Sequence, residues 1–246
     1  MNLAIDIGNT LAKAAVVENG QVVDLFKTEH LTPEYVSRYI FGSYPDIVNG
    51  ILVSTRGKEE ELQAFLRRNL RYFLVFDHRT PVPVVNRYGT PETLGCDRLA
   101  AAVGANALLP ESNVLIVDFG TAITIDVVTA AGEFIGGNIS PGASLRFRAL
   151  HEFTGRLPLR KLTENTEFLG RTSFSAIEGG VVNGIVYEIE GYIAGMAKRF
   201  DNYRIVFTGG DGNFFAKRFK NPIFATCDLV VYGLNKILEY NVQQDT

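Results

Sequence analysis

Cysteine is scarce. Only Cys96 and Cys227 occur among the 246 residues, and they form no CxxC pair. A disulfide framework is therefore excluded as the organising device, and a reducing, cytoplasmic setting is expected. Histidine is nearly as rare: His30, His78 and His151 are scattered and share no metal-ligand spacing. No apolar run approaches the ~18 residues that a membrane helix needs, so no membrane partner is expected. The opening stretch, MNLAIDIGNT, carries an acid early and has no basic run, so it does not read as a secretory signal. A basic surplus is missing too: 24 Lys and Arg stand against 27 Asp and Glu, a net charge of −3. Nucleic-acid-binding domains usually run basic, so nucleic acid is not expected as a partner. The local basic groups, Arg67, Arg68 and Arg71 and then Arg146 and Arg148, read as solvated-face and loop charges.

What is present is an ordinary globular composition, 46% hydrophobic and 21% charged, long enough for one large domain or two smaller ones. Residues 2–28 read as strand, tight turn, strand, Asn-Gly turn, strand. LTPEYVSRYIF opens a helix, with Thr32 as N-cap and Pro33 at the first helical position. GILVST is a buried strand, KEEELQAFLRRNL an amphipathic helix and RYFLVF another strand. Pro81, Pro83 and Pro91 make the next stretch an irregular loop, after which DRLAAAVGANALL forms a helix. Downstream come a short helix near 143–152, a long helix over SFSAIEGGVVNGIVYEIEGYIAGMAKRF, a strand with a TGGDG turn, and a closing helix. The glycines at 179, 180, 184, 191 and 195 suggest close packing of the long helix. Ser175 and Glu178 have capping-box spacing, although Thr172 or Ser173 could equally cap it.

One stretch occurs twice. IDIGNTLAKAAV near the start aligns without gaps on VDFGTAITIDVV at a constant offset of 112 residues. Asp6 falls on Asp118, Gly8 on Gly120, Asn9 on Thr121 and Gly20 on Gly132. A recurrence that preserves its special residues points to one structural unit used twice. The expected architecture is α/β, in two halves of 1–112 and 113–246, each with three strands followed by alternating helix and strand.

The repeated D-x-G turn has a chemistry of its own. Glycine permits a left-handed φ, which would turn the chain sharply and aim backbone N–H groups outward as a phosphate cradle. A threonine adds a donor, Lys13 adds a point charge, and an aspartate can hold a hydrated Mg²⁺. Read once, such a turn is a hairpin and no more. Read twice in register, followed by TGGDG at Thr208–Gly212, it points to polyphosphate binding. The chain contains no GxxxxGK[ST] and no complete GxGxxG after a strand, so it carries neither a P-loop nor a dinucleotide-binding fingerprint.

Duplicated DIGNT and DFGTA turns with a TGG turn resemble the acetate and sugar kinase, heat-shock protein and actin superfamily. YGTPETLGCDR at Tyr88–Arg98, VDFGTAITID at Val117–Asp126, GGNISPG at Gly136–Gly142, TGRLP at Thr154–Pro158 and GRTSFSAIEGGVVNG at Gly170–Gly184 resemble type III pantothenate kinase. The matches keep their order along nearly the whole chain. The resemblance implies duplicated actin-like, ribonuclease H-like domains, with mixed sheets flanked by helices and a cleft between them. It implies transfer of the γ-phosphoryl of ATP to the primary hydroxyl of pantothenate, with Mg²⁺ and a monovalent cation, K⁺ or NH₄⁺. It also implies a homodimer.

Carried over residue by residue, the resemblance makes Asp97 the catalytic base. Tyr88, Gly95, Cys96, Asp97, Arg98 and Ser173 would meet pantothenate. Asp6, Gly8, Asn9, Thr10, Lys13, Gly120 and Thr121 would meet the nucleotide phosphates, and Asp118 and Asp6 would lie at the cations. Ser173 stands where the family usually has threonine, with Thr172 before it. Asp97 could also be an N-cap, a position that aspartate favours. The competing readings are another small-molecule kinase of the superfamily, or a regulator that binds nucleotide as a conformational ligand.

Overall fold

The computed structural model describes residues 1–221, 223–226 and 228–244, so Cys227 lies outside them. Strands β1 (Asn2–Ile7), β2 (Ala12–Glu18) and β3 (Gln21–Thr28) form an antiparallel meander. The β2–β3 connection is Asn19-Gly20, with φ of 52° and 77°. Two consecutive left-handed residues match a type I′ hairpin, which Asn-Gly adopts at little strain. Helix α1 (Pro33–Tyr35) starts where the Tyr35 N–H donates to Thr32 Oγ1 at 3.2 Å, and it continues as a π-helical stretch, Val36–Phe41. Strand β4 (Asn49–Ser54) lies parallel to β1. Helix α2 (Glu60–Asn69) buries Leu62 and Leu66, and β5 (Tyr72–Val75) runs parallel to β4. The first sheet therefore has the order β3-β2-β1-β4-β5. A short strand β6 (Val85–Asn86), a 3₁₀ turn at Pro91–Thr93 and helix α3 (Cys96–Leu108) follow.

The pattern then returns. Strands β7 (Asn113–Phe119), β8 (Ala122–Val128) and β9 (Glu133–Pro141) lead into helices α4 (Ala143–Glu152) and α5 (Ser173–Ala197). After them come β10 (Tyr203–Thr208), α6 (Gly212–Ala216), β11 (Phe224–Ala225) and α7 (Leu229–Gln244). The second sheet has the order β11-β10-β7-β8-β9-β6. Its run β9-β8-β7-β10-β11 repeats β3-β2-β1-β4-β5 strand for strand, and β10 is parallel to β7 as β4 is to β1. The offset of 112 survives in the backbone: Gly132 has φ 70°, against 77° at Gly20. This is the mixed α/β architecture expected from the sequence.

By contacts the chain forms two compact units, residues 1–111, 128–136 and 228–246 in one, and 112–127 and 137–227 in the other. The first holds a core of Leu3, Ile5, Ile7, Ala14, Val16, Leu52 and Leu66. Its helices α3 and α7 approach closely. A Cβ at Gly233 would lie 1.8 Å from Ala100 O, and one at Gly104 would lie 2.6 Å from Leu229 O. The last helix, which sequence alone left unplaced, thus packs on the first unit.

The core of the second unit gathers Ile177, Val181, Ile185 and Ile189 of α5 around Phe119, Phe207 and Phe215. Phe119 and Phe215 stack at 4.8 Å with planes 15° apart. Only one glycine of α5 is forced by backbone crowding: a Cβ at Gly179 would lie 2.8 Å from Glu167 O, whereas at Gly180 and Gly191 it would meet nothing. The expectation that all five serve close packing is corrected accordingly.

Candidate functional site

In the first unit, Asp6 sits near the end of β1, opposite Lys13 of β2 and Val53 of β4. The Gly8 N–H donates to Leu11 O at 3.1 Å, which closes the turn and leaves Asn9 and Thr10 exposed at its tip. The expected left-handed glycine is not what shapes this bend. Neither Gly8 nor Gly120 has a positive φ. What a side chain would meet there is a tight contact instead: a Cβ would lie 3.2 Å from Leu11 O at Gly8, and 3.3 Å from Ala122 O at Gly120, so each carbonyl would have to give by a few tenths of an ångström.

The second turn, in the second unit, is walled by two others. Asp118 lies near the end of β7 opposite Thr208 of β10, and the Gly120 N–H donates to Ala122 O at 3.2 Å. Thr121 stays exposed. The Gly142 N–H, at the start of α4, donates to Thr121 O at 3.0 Å, and a Cβ there would lie 2.3 Å from Gly120 O. From another side, Gly209 has φ 87°, and a Cβ on it would lie 2.4 Å from Asp118 Oδ1. The Asp211 N–H donates to Phe119 O at 3.1 Å. Three glycine turns therefore converge on residues 118–121, with the ten-residue helix α4 beginning beside them. The N–H groups of Gly120, Gly142 and Asp211 are spent on these internal bonds, so the start of α4 is the feature here that favours an anion. Burial holds the Asp211 carboxyl above its usual range. The sequence had singled out each of these turns, but not their convergence.

The YGTPETLGCDR stretch forms a second cluster, in the first unit. Gly95 occupies the N-cap of α3, Cys96 its first position and Asp97 its second. Asp97 Oδ1 accepts from the Arg98 N–H at 2.9 Å, and a Cβ at Gly95 would lie 2.5 Å from that oxygen. Asp97 is thus inside the first turn, and the N-cap position open to it on sequence belongs to Gly95. Its charge gains from the helix dipole there. Arg98 is buried, only 6% exposed, and its guanidinium lies 5.4 Å from the centre of the Tyr88 ring. That ring packs on Phe134 at 6.1 Å, and Gly136, with φ 110°, lets β9 pass close beneath it. Pairing of Val85 with Glu133 and Asn86 with Phe134 holds the segment, as does an Arg87–Glu133 ion pair at 2.7 Å. The Cys96 thiol is pushed up to about 11, chiefly by burial and then by Asp97 and Asp77, so it stays protonated at neutral pH.

Ser173 is the exposed first residue of α5, in the second unit. The cap is Thr172: its Oγ1 accepts from the Ser175 N–H at 3.1 Å, and Ser175 Oγ accepts from the Thr172 N–H at 3.1 Å. The Ser175–Glu178 capping box is therefore not formed. Glu178 is instead taken by Arg160, whose Nε donates to it at 2.7 Å. Among the described residues, no group of three or more His, Cys, Asp or Glu side chains converges as a metal cage. A hydrated Mg²⁺ needs no such cage, because it keeps several waters and takes only one or two carboxylates.

The family model described as type III pantothenate kinase matches residues 2–195. The chain belongs to the type III pantothenate kinase family. The type III pantothenate kinase of Phocaeicola vulgatus is 40% identical over 245 residues, 98% of this chain and 99% of that one. That of Bacteroides fragilis is 41% identical over 241 residues, 98% of each. Among solved structures, a Baf family protein of Campylobacter jejuni superposes with a TM-score of 0.64 at 22% identity, over 98% of this chain and 99% of that one. A ROK family protein of Streptococcus pneumoniae superposes with a TM-score of 0.53 at 10% identity, over 99% of each. At those identities the structures establish the fold. The family rests on the sequence matches.

Proposed function

We infer that the chain transfers the γ-phosphoryl of ATP to pantothenate, giving 4′-phosphopantothenate and ADP, the first step of coenzyme A biosynthesis. The observation that carries this reading is the Tyr88–Arg98 cluster, an acceptor-side site with a carboxylate at a helix start. A protein that used nucleotide only as a conformational ligand would not need it.

Phosphoryl transfer through a loose transition state asks mainly for positioning and charge neutralisation. Arg98, fixed over Tyr88, offers the cation that matches the pantothenate carboxylate. The N–H groups around Gly95 and Cys96 and the Ser173 hydroxyl complete the acceptor contacts. Asp97 takes the proton of the attacking hydroxyl as the new O–P bond forms and the β–γ bridging bond breaks. The Gly8–Thr10 turn with Lys13, and the Gly120–Thr121 turn, hold phosphate oxygens. Asp6 would hold hydrated Mg²⁺, which would supply charge neutralisation, and Asp118 would serve the monovalent cation, K⁺ or NH₄⁺.

The repeat halves, 1–112 and 113–246, are read as duplicated copies of one ancestral unit. The partners are ATP, pantothenate and a second copy of the chain. Exposed Phe153, Phe168, Leu169 and Phe174, at 85, 78, 73 and 53% exposure, offer the apolar surface that a homodimer would cover. No helix among the described residues is long and apolar enough to cross a membrane. A cytoplasmic setting and no nucleic-acid partner complete the reading. The test is ADP formation in Mg²⁺ with and without pantothenate, in K⁺ and in Na⁺, with the product identified by mass. Pantothenate-dependent ADP release, faster in K⁺, is expected; ADP release indifferent to pantothenate would overturn it.

A further inference from the structure

Arg146, which the sequence offered as a solvated charge, is bound on three sides. Its Nε donates to Pro141 O at 2.8 Å, its Nη2 donates to Ser140 Oγ at 2.8 Å, and the same Nη2 pairs with Glu188 of α5. The side chain is 22% exposed and that of Glu188 25%. Both oxygens it grips in 140–141 stand immediately before Gly142. That glycine's N–H donates to Thr121 O, and its Cα lies where a methyl would press on Gly120 O. Every link belongs to the second unit.

We propose that Arg146 is a positioning residue for the nucleotide phosphates. It fixes the Ser140–Gly142 turn, and through it the Gly120–Thr121 turn, and ties both to helix α5 through Glu188. The inference rests on the reading that the Thr121 turn holds phosphate. Without the guanidinium, Pro141 O and Ser140 Oγ lose a charged donor, and the turn is free to leave Thr121 O. Phosphate turns act by preorganisation, so small displacements weaken nucleotide binding more than acceptor binding, which lies in the Tyr88–Arg98 cluster. Charge-assisted hydrogen bonds of this kind are worth about tenfold or more in an equilibrium.

The experiment is steady-state kinetics of the full chain with ATP and pantothenate varied in turn. Arg146→Met is expected to raise KM for ATP about tenfold while KM for pantothenate moves less than about twofold. Arg146→Lys, which can keep one of the two contacts to 140–141, should recover part of that loss. Glu188→Gln keeps the grip on the turn and should show the smallest effect of the three. Arg148→Ala removes only an exposed pair with Glu152 on the same helix and should leave both constants unchanged. If Arg146→Met fails to fold, the lysine and glutamine variants carry the same comparison. Equal changes in both KM values, or an unchanged KM for ATP in every variant, overturns the proposal. Failure of the wild type to phosphorylate pantothenate would instead overturn the function on which it rests.

Discussion

Two adjacent glycines in the TGGDG turn should behave oppositely. Gly209 has φ 87°, and a methyl on it would lie 2.4 Å from Asp118 Oδ1 and 2.6 Å from the Phe119 carbonyl. Gly210 has ordinary φ, and a methyl there would meet nothing within 4 Å. For Gly209→Ala the left-handed backbone alone costs about 1 kcal/mol. The Asp118 carboxylate can swing aside, but the Phe119 backbone cannot, and that overlap adds roughly 1–3 kcal/mol. The expected loss is therefore roughly 2–4 kcal/mol, or about 4–16 °C in Tm for a protein of this length. Gly210→Ala should stay within about 0.5 kcal/mol. Thermal unfolding of both variants reads the difference, and ADP formation should fall in Gly209→Ala alone, because Asp118 is the group displaced. Equal Tm values for the two variants, or a Gly209→Ala enzyme with normal Tm and activity, would refute the account of how the TGG turn packs on the second D-x-G turn.

Further outcomes rest on other parts of the geometry. Gly191→Ala on the open face of α5 removes a helix-interior glycine with no steric penalty, so it should raise stability by about 0.5–1 kcal/mol, read by denaturant unfolding. Cys96, with its thiol pushed up to about 11, should alkylate more slowly than a free thiol at pH 8. Its rate, followed on the Cys96 peptide by mass spectrometry, should still be rising at pH 10, where an unperturbed cysteine has levelled off. The Asp211 carboxyl, held up by burial, binds its proton more tightly folded than unfolded. Stability from this group is therefore present at low pH and lost as pH rises from the usual aspartate range through the raised value. Asp211→Asn should accordingly raise Tm more at pH 7 than at pH 4.

Much of the fold was written locally. The Asn19-Gly20 hairpin, the Thr32 cap with Pro33, and the periodic helices each follow from residues within a few positions of one another. The repeat made the second half readable from the first, down to the matching φ at Gly20 and Gly132. What could not be read depends on which distant group arrives first. Ser175 and Glu178 have the spacing of a capping box, but Arg160 claims Glu178, and Thr172 caps the helix instead. Arg146 reads as solvated in the sequence because its partner Glu188, 42 positions away, is set by the crossing of α4 and α5. Gly8 and Gly120 do sit in turns, but without the left-handed φ that glycine there suggests. The short pairing of β10 with β11 left no pattern long enough to see. At the acceptor cluster, the order YGTPETLGCDR placed Tyr88 and Arg98 in one motif, and the structure puts one above the other.

Substitution of one carboxylate tests the central claim most directly. Asp97→Asn keeps size and an oxygen that can still accept from the Arg98 N–H, but cannot take a proton from the attacking hydroxyl. Transfer from ATP to pantothenate in a single turnover should slow by about 10²–10⁴-fold with ATP binding retained. A variant that makes 4′-phosphopantothenate at the wild-type rate would contradict the account.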